Sequence, residues 1–477
     1  MRKVSLTPPE AGSSFAGAAG SGEPIQITIF LSNYELGENM GAIIGIRRED
    51  KNEWERRVPL VPADLADLKT KGDFQFIIQP SNIRVFGDDE YAAAGVTVQE
   101  DISSADIVFA VKEIPISLLT GKRVFIYFSH TVKGQSYNMG MLQHLLDEGA
   151  TLIDYEKIAD EQNRRLIFFS IHAGCAGMIE SLVCLGKRLA WKGCRTPLLD
   201  IKHPYEYTGL DEAKTHLREL GARMAAEGLG DRQRPIVIGV AGYGNVARGC
   251  QEILDCLPHR VVTVDELEEA AAADLADVGP FVAVTFREED MVKPRSADAQ
   301  FVLQDYYQRP ENYRSVFERH LPYLDVLMNT IYWEERYPRL VTHKWAKAHY
   351  GPDKEPRLQV IGDISCDIEG SIELTLKAPQ PDNPCYVYDP ATKTIHDGVE
   401  GDGPVIMSVD NLPCELPRES SEHFSKVLRD MVTPLAQADF RSDFASLHLP
   451  SYLKKAVVTH RGELAPGYRY LQGFLDK

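Results

Sequence analysis

Ile236-Val-Ile-Gly-Val-Ala-Gly242-Tyr-Gly244-Asn-Val-Ala247-Arg-Gly249 is the stretch on which the fold turns. An apolar run leads straight into Gly242-x-Gly244-x-x-Ala247, and a helical pattern from Ala247 to Leu254 follows. That context, strand then glycine turn then helix, is what a dinucleotide-binding fingerprint requires. Gly242 permits the tight turn, Gly244 lets the backbone approach a pyrophosphate, and Ala247 lets helix and strand pack closely. The helix N-terminus then offers unpaired N–H groups and the positive end of its dipole to phosphate. An acid often follows such a loop by about 20 residues and holds the ribose hydroxyls of NAD. Asp265, after Val261-Val-Thr-Val264, has that spacing. Its plainer reading is as the cap of the next helix, Asp265-Glu-Leu-Glu-Glu.

Upstream, strands and helices alternate. Ala42–Ile46, Phe74–Gln79, Ile107–Val111, Arg123–Ser129 and Thr151–Asp154 read as strands, and 61–68 and 137–148 as helices. This rhythm predicts a parallel sheet with helices on its faces. A helix rich in small residues, about 170–192, links this unit to a second α/β unit that begins at Pro235. Beyond Asp382 the chain reads as loop-rich, until a helix over about 420–438. The fold class is therefore α/β, with two Rossmann-like domains and parallel sheets.

Two strand ends deliver ionisable groups: Val111 is followed by Lys112-Glu113, and Phe128 by Ser129-His130. Carboxyl ends of parallel strands are where open α/β sheets bind ligands, so Lys112 and His130 are candidate acid–base groups. Arg56-Arg57 and Arg164-Arg165 are candidate carboxylate clamps, since a guanidinium holds a carboxylate through two parallel bonds. Val360-Ile-Gly-Asp363-Ile-Ser-Cys-Asp367 is a further strand that ends in acids.

The chain has 477 residues, too long for one core. Its 70 acidic and 52 basic residues give a net charge of −18, which argues against nucleic acid or an anionic membrane as partner. Eight scattered cysteines form no C-x-x-C pair and no zinc spacing, so no metal is expected and a reducing compartment is. No apolar run reaches the ~18 residues of a membrane helix. Residues 1–40, with a Gly/Ala/Ser-rich stretch from Pro8 to Gly22, read as a disordered extension, and the folded part begins near Gly41.

Gly45-Ile-Arg-Arg-Glu-Asp-Lys-Asn-Glu-Trp-Glu-Arg-Arg57-Val-Pro-Leu-Val-Pro62, Val111-Lys112-Glu113-Ile-Pro115 and Phe128-Ser-His130 resemble motifs of the alanine dehydrogenase/transhydrogenase superfamily. Four more stretches resemble its lysine–ketoglutarate reductase domain, the first half of a bifunctional lysine-degrading enzyme, alpha-aminoadipic semialdehyde synthase. They begin at Asn329-Thr-Ile-Tyr-Trp333, Gly362-Asp-Ile-Ser-Cys-Asp367, Ile395-His-Asp-Gly-Val-Glu400 and Val409-Asp-Asn-Leu-Pro413.

The resemblance implies an oxidoreductase that joins L-lysine to 2-oxoglutarate and reduces the imine to saccharopine. By motif, Lys112 and His130 would be catalytic, and Arg57, Lys133, Glu156 and Arg165 would bind substrate. Gly242, Gly244, Asn245 and Val246 would line the pyrophosphate, and Asp363 and Asp367 the nicotinamide end. A catalytic domain split into 41–170 and 375–477 would surround a nucleotide domain at 171–374. NADPH is the cofactor the resemblance implies, and Asp265 argues for NADH. The chain ends at Lys477, without the saccharopine-cleaving half. That leaves a separate saccharopine dehydrogenase partner and a homo-oligomer open, in the cytoplasm, or in the mitochondrial matrix of a eukaryote. The alternatives are an amino-acid dehydrogenase of the alanine dehydrogenase type and a non-catalytic ligand-sensing relative.

Overall fold

The structure is a computed structural model that describes residues 42–476; the extension expected over 1–40 lies outside the described residues. The N-terminal strands are β1 (Ile43–Ile46), β2 (Gln75–Ile78), β3 (Thr97–Val98), β4 (Ile107–Phe109), β5 (Val124–Tyr127) and β6 (Thr151–Asp154). They form one parallel sheet in the order β3-β2-β1-β4-β5-β6. Their residues are buried almost throughout, as in a sheet covered on both faces.

The second sheet is built from β7 (Ile236–Ala241), β8 (His259–Val262), β9 (Phe281–Phe286), β12 (Val326–Asn329), β13 (Val360–Asp363), β14 (Cys385–Asp389), β15 (Thr394–Asp397) and β16 (Val405–Met407). Strands β10 (Val292–Pro294) and β11 (Tyr313–Ser315) form a small antiparallel ladder apart from it. The order is β8-β9-β7-β12-β13-β16-β14-β15, with the β14 and β15 pairings antiparallel and the other pairings parallel. β17 (Val457–His460) and β18 (Glu463–Leu464) return to the first sheet and extend it antiparallel beyond β6.

Two expectations change here. The stretch beyond Asp382 is not loop but three strands, because Tyr386, Val387 and Tyr388 are apolar enough to be buried on the second sheet. For the same reason the chain does not rejoin the first core near 375. It does so with the helix Pro417–Gln437, whose Phe424, Leu428, Val432 and Leu435 pack into the core of the first sheet. The Ser421 and Ser425 hydroxyls accept the N–H groups of Val58 and Val61 at 3.0 Å each and fix that helix against the start of the Pro62–Lys71 helix.

The small residues of the Ser170–Trp191 helix have a packing explanation. It crosses the Asn245–Leu254 helix that follows the glycine loop, and each contributes a glycine at the crossing. A Cβ on Gly174 would lie 2.0 Å from the Val246 carbonyl oxygen, and one on Gly249 2.0 Å from that of Ile171. No side chain fits either gap, so the glycines set how closely the two backbones approach. Gly249→Ala is expected to lower the stability by about 1–3 kcal/mol or more. Gly140→Ala, in the Ser136–Asp147 helix with open space around it, is expected to raise it by about 1 kcal/mol. Thermal melts of the two variants check both signs.

Candidate functional site

The order β3-β2-β1-β4-β5-β6 reverses direction between β1 and β4, and the crevice at such a switch point is where open sheets hold ligands. Glu49, just past β1, bridges this point. Its carboxyl accepts the N–H of Val111 at 2.6 Å and of Lys112 at 3.1 Å, so it holds the turn that carries Lys112. Burial, reinforced by the nearby Glu55, pushes Glu49 up to about 7.

Glu55 and Arg57 form a two-point ion pair with both side chains buried, Nε to Oε1 at 2.7 Å and Nη2 to Oε2 at 2.6 Å. Asn411, in the segment that leaves β16, accepts from Arg57 at 3.0 Å and donates to Glu55 at 3.1 Å. The Arg57 guanidinium also lies 4.2 Å over the Phe169 ring. Burial would raise Glu55, but the Arg57 guanidinium outweighs it and holds the carboxyl at about 2, with Lys112 adding to the effect. Arg57 is thus less free than a substrate clamp: Nε and Nη2 are committed, and Nη1 makes no hydrogen bond among the described residues.

His130 follows β5 with φ of +49° and is partly exposed. Its Nδ1 lies 2.5 Å from Glu113 Oε1, and Lys51 reaches the other Glu113 oxygen at 2.8 Å. Burial opposes ionisation of Glu113, but these two partners win and hold its carboxyl far below the usual range. A carboxylate at Nδ1 keeps a proton there and leaves Nε2 as the nitrogen that exchanges protons. Asp154, at the end of β6, accepts the Ser129 hydroxyl and the Glu156 N–H, the latter at 2.8 Å. Burial pushes it up to about 6, against those hydrogen bonds.

Arg165 and Glu156 form the rim. Arg165 donates to the Ile167 carbonyl at 2.7 Å, lies 5.1 Å over the Phe128 ring, and approaches Glu156 at 3.9 Å. Lys133 is exposed, and burial raises Asp367 despite the opposing charge of Lys133. Asp363 is not open to a ligand. Its oxygens accept from Asn329 at 2.7 Å and Thr375 at 2.5 Å, and burial pushes it up to about 6.

At the second switch point, between β7 and β12, the glycine loop fits a dinucleotide. Gly242 has φ of +104°, and a Cβ there would lie 2.8 Å from the Thr330 hydroxyl. Gly244 precedes the helix that begins at Asn245, and nothing lies within 4 Å of where its Cβ would be. Asn245 is exposed and Val246 half-buried in the first turn. Beside the loop, Asn329 Oδ1 is buried without a partner among the described residues. Asp265 does not join this group. β9, not β8, is the neighbour of β7, so Asp265 lies beyond the edge strand, exposed in a turn. Nor does it cap the next helix, which begins at Leu267 without a side-chain cap; Glu266 accepts from Thr263 instead.

Sequence reasoning missed Glu49, Glu55, Glu113 and Asp154. Three of them stand within the quoted motifs, but only the folded chain shows which carboxylates face inward. Among the described residues no helix is long and apolar enough to cross a membrane.

Residues 45–176 match the family model of the alanine dehydrogenase/PNT N-terminal domain. Alpha-aminoadipic semialdehyde synthase of Arabidopsis thaliana is 35% identical over 456 residues, 92% of this chain and 42% of that protein. The mitochondrial enzyme of that name from Bos taurus is 36% identical, over 90% of this chain and 48% of the relative. The chain thus spans about half or less of the length of these relatives. A Neurospora crassa saccharopine dehydrogenase [NAD(+), L-lysine-forming] is 26% identical over 80% of this chain and 88% of its own length. Among solved structures, an L-alanine dehydrogenase superposes with a TM-score of 0.59 at 18% identity, covering 91% of this chain and 99% of the other. These likenesses bear out the resemblance read from the motifs and the expected pair of Rossmann-like α/β units.

The raised Asp154 carboxyl makes stability depend on pH. Its folded value of about 6 lies above the ordinary 3.8, so its contribution is complete below pH ~4 and is lost as the pH rises through about 6. The stability of the wild type relative to Asp154→Asn is expected to fall between pH 4 and 7.5, by at most about 3 kcal/mol. Urea unfolding of both proteins at the two pH values measures it; parallel pH profiles would remove Asp154 as the cause.

Proposed function

We propose, from the match of residues 45–176 to the alanine dehydrogenase/PNT N-terminal domain model, that the chain condenses the ε-amine of L-lysine with the keto carbon of 2-oxoglutarate and reduces the product to saccharopine. The observation that carries this reading is that two sets of strand ends, joined by one contact, bear the candidate groups. One bears Lys112, His130 and the Arg57–Glu55 pair, the other the glycine loop at Gly242 and Gly244, and the Arg57–Asn411 contact ties the two together.

The substrate amine must be neutral to attack a carbonyl, and the carbinolamine must gain a proton on its hydroxyl for water to leave. Both steps need a group that moves one proton reversibly. His130 suits this role: Glu113 fixes Nδ1, and Nε2 is left to exchange. Lys112, its backbone held by Glu49 and its charge balanced by Glu55, stabilises the oxyanion of the carbonyl under attack and can hand on a proton. Arg165, Lys133 and the remaining Nη1 edge of Arg57 supply positive charge for the substrate carboxylates. A reduced nicotinamide nucleotide, when bound, would supply the hydride for the imine. Asn245 and Val246, in the first turn of their helix, would hold its pyrophosphate through backbone N–H groups. Asp363 positions Asn329 and the 366–375 loop rather than touching the nucleotide itself.

The assay is nucleotide oxidation, followed by absorbance, with L-lysine and 2-oxoglutarate together and each alone. Oxidation is expected only with both. Oxidation with ammonia and a 2-keto acid instead would make the chain an amino-acid dehydrogenase, and binding without turnover would favour a ligand sensor. His130→Ala and Lys112→Ala are each expected to lower kcat by about 10²–10⁴; wild-type turnover in either would remove that residue from the mechanism.

A further inference from the structure

The acid that reads the adenosine ribose in a dinucleotide fold stands at the end of the strand next to the glycine-loop strand. In this chain that neighbour is β9. Ala241 pairs with Phe286 and the Gly242 N–H donates to the Phe286 carbonyl at 3.0 Å, so the first residue beyond the paired register is Arg287. A cation stands where an acid was expected. Asp265 follows β8, one strand further out, and strands are about 4.8 Å apart.

The surroundings of Arg287 leave it available. Its guanidinium lies 4.7 Å over the ring of Tyr243, the exposed residue between the two loop glycines. It makes no ion pair among the described residues. The nearby carboxylates are engaged elsewhere. Glu288 accepts the Tyr307 hydroxyl at 2.5 Å and the Tyr243 hydroxyl at 3.4 Å, and Asp290 accepts the backbone N–H of Arg287 at 2.8 Å. A guanidinium that rests against an aromatic ring and has no carboxylate partner keeps N–H groups to donate. Two of them match a phosphate monoester through parallel charge-assisted bonds. An unphosphorylated ribose hydroxyl would offer it far less.

We infer that Arg287, braced on Tyr243, is the specificity-determining contact for a 2′-phosphorylated nicotinamide nucleotide, and that Asp265 takes no part in the choice. The inference rests on the dinucleotide reading of the glycine loop and names which nucleotide that loop takes.

Calorimetric binding of 2′,5′-ADP and of 5′-ADP, with no substrate and no turnover, tests it. Wild type is expected to bind 2′,5′-ADP at least tenfold more tightly, with the preference weakening at high salt. Arg287→Ala is expected to lose roughly 10- to 100-fold for 2′,5′-ADP and to keep its affinity for 5′-ADP. Arg287→Lys, a charge without the fork, should recover part of the preference, and Asp265→Ala should leave it unchanged. Arg287 is exposed, so its variants are expected to fold, and far-ultraviolet circular dichroism checks that they do. Equal affinity of wild type for the two nucleotides, or a preference that survives Arg287→Ala, overturns the role of Arg287 while the nucleotide site stands. Failure of wild type to bind either nucleotide overturns the site itself and this inference with it.

Discussion

The buried pair Glu55–Arg57, bridged by Asn411, is the interaction from which the rest of the site is arranged. Two charges taken out of water are tolerated only when paired and hydrogen-bonded, and removing one partner from such a pair costs about 3–5 kcal/mol. Here the guanidinium has carboxylate oxygens on one edge, a carboxamide oxygen at Nη2 and the Phe169 ring on its face. Those partners come from the loop after β1, the segment after β16 and the approach to the Ser170–Trp191 helix. One ion pair therefore fixes three parts of the chain, including the ends of both sheets.

Around that knot the chemistry is delivered by strand ends and held by carboxylates. Glu49 grips the Lys112 turn, Glu113 orients His130, and Asp154 ties the Ser129 hydroxyl beside it. Each is an acceptor placed where a backbone or ring donor needs an anchor. The acidic surplus of the whole chain says little about this, because the acids that matter are the few turned inward. His130, Cys366 and Glu369 have φ of +49°, +54° and +49° without being glycine. Residues stay in that region only where their surroundings over-determine them.

The two sheets also differ in a way that bears on cofactor choice. The first runs β3-β2-β1-β4-β5-β6, while the second exchanges the places of its second and third strands and runs β8-β9-β7-β12-β13-β16. A spacing rule that looks for an acid after the second strand assumes that strand lies beside the glycine loop. With β8 at the edge, the strand beside the glycine loop is β9, whose last paired residue, Phe286, precedes Arg287.

Legibility followed the range of the interaction. The β7 strand, the glycine turn and its helix could be read directly, because an apolar run, a positive φ at Gly242 and helix propensity act over a dozen residues. Lys112 and His130 at their strand ends were equally local. The strands at 385–407 were hidden among prolines and glycines, since their apolar residues were too few to stand out without the sheet they complete. By itself the sequence determined two α/β units, a glycine loop between strand and helix, and the residue types at the strand ends. The tertiary structure decided that the Arg57–Glu55 pair meets Asn411 across more than 350 residues, that Asp363 is an internal staple, and that the strand beside the glycine loop is the one that ends at Arg287. Those outcomes depend on strand order and on which charges are buried together, and no local pattern of residues encodes either.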